Sequence, residues 1–218
     1  MNGTPQQSSG LVTWRAGVAA RNRTALLDAA IDRFLAHGYD RTSLEEVART
    51  AGVSSATLYK HFPTKAALFG GIMARLWEND EEAAPAPRAS GDPATGLLAI
   101  GRAYATLLTE QRTVDLFRLV TAEAPRFPEL GRELYERGKK PYLDRLHAYL
   151  DAEAALGHVQ IEDVPLAARQ FLGMINDVVF WPRLLIPSLT LPPEEVDRVV
   201  REAVVTVLAR YGANIRPG

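Results

Sequence analysis

The chain has 218 residues, 47% of them hydrophobic and 23% charged, with a net charge of −1. That is the composition of a globular protein long enough to bury a core unaided. It has no cysteine, which excludes disulfides, thiolate catalysis and thiolate metal sites. The polar start MNGTPQQSSG lacks the apolar core of a secretion signal, and no apolar run approaches the roughly 20 residues that span a bilayer. No membrane contact is therefore expected, and the chain reads as cytoplasmic. The charge is uneven. Through Lys65 there are eight basic and five acidic side chains, giving +3 against −4 for the remainder. A mildly basic head on an acidic body suits a small phosphate footprint joined to a second, separate function.

Residues 1–20 are small and polar without a period, and are expected to be a flexible N-terminal arm. Arg15, Arg21 and Arg23 are candidate minor-groove or phosphate contacts from that arm, weighed against a plain disordered tail. A first helix is expected over Arg21–His37, where Leu27, Ala30, Ile31, Phe34 and Leu35 form an apolar stripe and Gly38 marks the end. Next comes TSLEEVARTAGVSSATLYKHFPTK, from Thr42 to Lys65. Ser43 caps a short helix, and Glu46 completes a capping box. Leu44, Val47, Ala48 and Ala51 give this helix its apolar face, and Gly52 supplies a tight turn. Ser54 caps a second short helix, Pro63 ends it, and Thr64 caps the next. Two short helices around a glycine turn form a helix-turn-helix at about 44–63, within an expected DNA-binding domain at 21–66.

A longer helix should run from about Lys65 to Asn79. Its adjacent Gly70 and Gly71 each cost ~1 kcal/mol relative to alanine, which points either to close packing or to a place where the helix bends. Glu81–Pro93 reads as a loop, and Asp92-Pro93 as a helix start. Helices are then expected at 94–110, 112–124, 128–156 (kinked or broken between Gly138 and Pro141), 165–181 and 193–211. No segment alternates as a strand does, so the class is all-α, a three-helix head followed by a larger helical body at 67–212. The last two helices carry apolar stripes wider than one core contact needs, which suggests a homodimer joined through them.

An enzyme is the rival class, and the chain lacks a phosphate-binding loop, a zinc-protease motif and a nucleophile elbow. Asp144, His147, Glu153 and His158 read as a solvated face and not as a metal site. No cofactor and no metal are expected.

The patterns LLDAAIDRFLAHGYDRTSLEEVA and AGVSSATLYKHFPTKAALF resemble the DNA-binding domain of TetR/AcrR-type transcriptional regulators. The matching positions run from Gly38-Tyr39 and Thr42 through Ala51-Gly52-Val53-Ser54 and Leu58-Tyr59 to His61-Phe62, Lys65 and Leu68-Phe69. In the body, LFRLVTAEAPRFPELGRELYERG resembles the C-terminal domains of one AcrR-like branch.

In the second short helix Leu58 and Phe62 should pack inward, leaving Ser55, Ala56, Tyr59 and Lys60 toward the major groove of DNA. Small side chains carry little base information, so part of the specificity should come from DNA shape. Phosphate contacts are expected from Thr42, Ser43, Tyr59, Lys60, His61 and Lys65, several of them at helix starts. The resemblance implies backbone contacts at Thr42, Tyr59, His61 and Lys65. Members often carry a lysine or arginine and then a glycine where this chain has Ser55 and Ala56, a departure that bears on its operator sequence. The resemblance further implies a repressor released from a palindromic double-stranded DNA operator by a small-molecule effector in the body. A ligand-independent or protein-controlled dimeric DNA binder is the alternative. Candidate pocket residues are Tyr104, Phe117, His147, Phe171, Met174, Asp177 and Trp181; Asp177 stands out, because a buried carboxylate needs a partner.

Overall fold

The structure is a computed structural model that describes residues 6–83, 89 and 91–213, with only the backbone at 6–13, 15 and 77–83. The chain divides into two compact units, Met1–Ile72 and Met73–Gly218. The described residues form helices joined by turns, with no strand beyond one isolated bridge between Val159 and Gly212.

In the first unit α1 spans Gln6–His37, α2 Leu44–Thr50 and α3 Ser55–His61, and α4 (Lys65–Ala83) begins in it. α1 starts at Gln6, which corrects the expected helix start at Arg21; residues 1–5 of the expected flexible arm lie outside the described ones. The chain has no proline between Pro5 and Pro63. Once one turn has formed, each further residue adds a backbone hydrogen bond at little cost. Trp14 in this extension is 63% exposed.

The head's core is built from the stripes read in the sequence. Leu27, Ala30, Ile31 and Phe34 of α1 meet Val47 and Ala48 of α2 and Leu58 of α3, all buried, whereas Leu35 stays at the surface. Phe34, Tyr39 and Phe69 form an aromatic cluster with ring centroids 5.3–6.2 Å apart. Gly38 and Gly52 both have positive φ, 81° and 68°, as the turns after α1 and α2 require. Gly71 is explained by packing: a Cβ there would lie 2.6 Å from the Phe62 ring and 3.2 Å from Leu27.

In the second unit α5 (Pro93–Thr109), α8 (Lys140–Ala155), α9 (Val164–Val179) and α11 (Pro193–Tyr211) surround one apolar core. α6 (Gln111–Glu123), α7 (Pro128–Glu133) and α10 (Trp181–Leu185) complete the unit. Asp92 caps α5 through its side chain, and Asp163 caps α9 in the same way. The break expected between Gly138 and Pro141 is a π-helical turn over Leu134–Lys139, closed by the Lys140 N–H donating to the Tyr135 carbonyl. Pro141 has no N–H to give, and the widened turn absorbs the missing bond. α9 ends at Val179, short of the expected 181, because Pro182 cannot donate to the α9 ladder and instead opens α10. A Cβ on Gly101 would lie 2.7 Å from Val200, so this glycine brings α5 and α11 together.

Glu153 overturns the reading of a solvated face. It is fully buried and pairs with His158 Nδ1 at 3.0 Å, beside a buried Tyr149 whose pKa is pushed up by burial and by the Glu153 charge. Asp144 does face solvent, where it pairs with Lys140. The loop after α8 is fixed to the end of α11 by the Gln160 N–H on the Tyr211 carbonyl (2.7 Å) and the Ala213 N–H on the His158 carbonyl (3.0 Å). Among the described residues no helix is long and apolar enough to cross a membrane.

Candidate functional site

The helix-turn-helix forms as its caps dictate. Ser43 Oγ accepts from the Glu46 N–H (3.2 Å), and Glu46 Oε2 accepts from the Ser43 N–H (3.1 Å). Glu46 also pairs with Arg33 of α1 at 3.0 Å, and its pKa is lowered by the Ser43 backbone bond first and by Arg33 second. Ser54 Oγ accepts from the Thr57 N–H at 3.2 Å and starts α3. Leu58 and Phe62 then point into the core, so Ser55, Ala56, Tyr59 and Lys60 are left exposed on the other side of α3. These are the side chains expected to face the major groove.

Tyr59 is 44% exposed and donates its hydroxyl to Glu45 Oε1 of α2 at 2.7 Å. The bond raises the Tyr59 pKa and lowers that of Glu45. Nothing in the local sequence marks Glu45 as a site residue, since its partner lies 14 residues on; it fixes the Tyr59 ring on the exposed face. Lys60 is exposed, and His61 is half-buried with its ring 6.2 Å from that of Phe62.

Two expected phosphate contacts have other employment. Thr42 is 1% exposed, and its hydroxyl donates to the Gly38 carbonyl at 2.9 Å, with the Arg33 carbonyl at 3.3 Å. The Lys65 ammonium donates to the carbonyls of Tyr39 (2.8 Å), Asp40 (3.1 Å) and Thr42 (3.0 Å), and lies 4.6 Å from the centre of the Tyr39 ring. An ammonium has three protons, and these carbonyls use them all. Both side chains therefore fasten the turn after α1 and do not reach outward. Of the arm's arginines, Arg21 is exposed and Arg23 lies over the Phe62 ring at 5.8 Å; the side chain of Arg15 is outside the described residues.

None of the cavities among the described residues is lined by all seven expected pocket residues. Phe171 is fully buried in the core, and Phe117 packs edge-on against Phe180 at 4.8 Å. Met174 is packed against the core, and His147 keeps Nε2 buried without a hydrogen-bond partner among the described residues. Asp177 is exposed and needs no partner, because water solvates it; Trp181 is 49% exposed. Of the seven, Tyr104 lines one of the cavities among the described residues. That cavity, about 130 Å³, is walled by Tyr104 of α5, Lys139 of the π turn, Leu143 of α8, and Arg169, Leu172, Gly173 and Asn176 of α9. Burial pushes the Tyr104 pKa up to about 12, so its phenol keeps its proton near neutrality. A second recess of about 360 Å³ lies between α5 and α11, crossed by the Arg102–Asp197 pair (2.8 Å). A third, of about 720 Å³, lies at the joined ends of α11 and the loop after α8 and includes Glu162, Asp163 and Arg210.

A capped helix-turn-helix head and a separate all-helical body define a DNA-binding regulator. The model of the AefR-like transcriptional repressor C-terminal domain matches residues 95–213, and that of the tetR family of bacterial regulatory proteins matches residues 26–72. The chain belongs to the TetR family of transcriptional regulators. It is 36% identical to the Escherichia coli K12 transcriptional regulator RutR over 62 residues, 28% of this chain and 29% of RutR. The match thus spans less than a third of that relative's length. The flavonoid-responsive regulator FrrA is similar over 89% of this chain and 99% of its own, with 28% identity and a TM-score of 0.75. A TetR-family regulator from Mesorhizobium loti is similar over 89% and 98%, with 28% identity and a TM-score of 0.71.

Proposed function

We propose that this TetR-family member is a cytoplasmic, homodimeric repressor that holds a palindromic operator and releases it when a small molecule enters the body. The observation that carries the reading is the exposed face of α3, where Ser55, Ala56, Tyr59 and Lys60 stand clear of the core on a doubly capped helix pair. Ser55, Ala56 and Tyr59 meet base edges, and Ser43, Lys60 and His61 meet phosphates. Thr42 and Lys65 take part indirectly, by setting the turn in front of α2.

The body at 67–212 serves dimerisation and effector binding in this reading. Leu166 of α9, Trp181 and Leu185 of α10, Ile186 just after it and Val205 of α11 are 48–74% exposed, an apolar surface that a second copy would cover. A dimer sets two α3 helices about one DNA turn apart, ~34 Å or a multiple, and an effector that favours another spacing lowers affinity by population shift. The naming of one structural neighbour as flavonoid-responsive supports small-molecule control. A thermal-shift screen over small organic compounds tests the reading. A compound that raises the melting temperature and also releases bound DNA supports it; stabilising compounds that all leave DNA affinity unchanged contradict it.

A further inference from the structure

Several surface cations of the body are matched within the chain. Arg102, Arg118, Arg137, Lys140, Arg198 and Arg201 each sit on a carboxylate. Lys139 and Arg169 do not: both are exposed, both border the 130 Å³ cavity, and neither side chain makes an ion pair or hydrogen bond with another described residue. No carboxylate lines the cavity. Its inner wall is apolar, made by Leu143, Leu172 and the buried Tyr104 ring, while Gly173 leaves open space where a side chain would stand. Asn176 adds an amide one turn further along α9.

We propose that this cavity takes a small organic carboxylate, its charge between Lys139 and Arg169 and its single ring or short acyl chain against Leu143, Leu172 and Tyr104. The inference rests on the reading of the body as an effector domain and names the chemistry of the effector. A cavity of ~150 Å³ in a protein core accommodates one benzene ring, so the volume suits a ligand of that size. The guanidinium offers a planar fork that matches a carboxylate, and the ammonium adds a second charge. An inorganic anion would gain nothing from the apolar wall, and a neutral ligand would leave the two cations as they are. The Tyr104 phenol and the Asn176 amide are able to donate further hydrogen bonds.

Calorimetric titration of the full chain with sodium benzoate and sodium hexanoate, against benzamide and hexanamide as neutral counterparts, tests the proposal. At least one acid should bind about tenfold more tightly than its amide, and Arg169→Gln and Lys139→Gln should each weaken that acid by about tenfold. Both substitutions lie on exposed side chains, so melting temperatures should stay unchanged. Failure of both acids to bind, equal binding of acid and amide, or acid binding unaffected by both substitutions overturns the proposal. The same ligands are added to the protein on DNA. Charge-dependent binding that leaves DNA affinity unchanged would defeat the effector-release reading and leave this cavity's chemistry standing. An amide that binds as well as its acid and releases DNA would do the reverse.

Discussion

The Lys65 ammonium serves three carbonyls of the turn between α1 and α2, so its removal acts on the head's stability before it acts on DNA. Lys65→Met should lower the unfolding free energy by about 1.5–3 kcal/mol, the range for hydrogen bonds to a charged group, as read from urea denaturation. Unchanged stability with a salt slope reduced by one unit would return this lysine to the phosphates. Lys60 is the side chain on which the phosphate effect belongs, since it stands exposed on α3. Lys60→Ala should weaken binding to all DNA sequences alike and reduce the salt slope by about one, measured by titration across salt concentrations. Ser55 variants should instead change which base is preferred. Loss of affinity without change of preference would place Ser55 away from the base edges.

At the scale of elements, what the sequence disclosed depended on the range of the interaction. The caps at Ser43 and Ser54, the glycine turn and the break before Pro141 are local, and each formed where its signal lay. The part of α1 before Arg21 carries no apolar stripe, so no period in the sequence marks it as a helix. The partners of Lys65 lie 23–26 residues away, so nothing beside it in the chain shows that its protons are taken. Polar or aromatic groups in apolar helices include Tyr104, which lines a cavity, and core residues such as Phe171, because the sequence pattern alone does not separate the two. Lys139 and Arg169 come from separate elements and stand on exposed faces, where charge is ordinary. Gly71 was legible as unusual, and its reason is the Phe62 ring 2.6 Å from where a Cβ would be. Gly71→Ala should therefore cost about 1–3 kcal/mol through overpacking, checked by thermal unfolding. A stabilised variant would mean that the ring moves aside freely.

For the whole molecule, the proposed assembly depends on the exposed apolar residues of α9, α10 and α11. Val205 is 61% exposed on α11, and its place in a helical interface would not tolerate a charge. Val205→Glu should leave the fold intact, shift the mass in light scattering from dimer to monomer and abolish tight binding to a two-fold operator. A variant that stays dimeric would move the interface elsewhere. The most direct measurement is selection of bound DNA from a random duplex pool by the intact protein. The account predicts a recovered site with two-fold symmetry, its half-sites about one helical turn or a multiple apart, ~34 Å per turn. Recovery of no enriched sequence, or of a single half-site without symmetry, would contradict it.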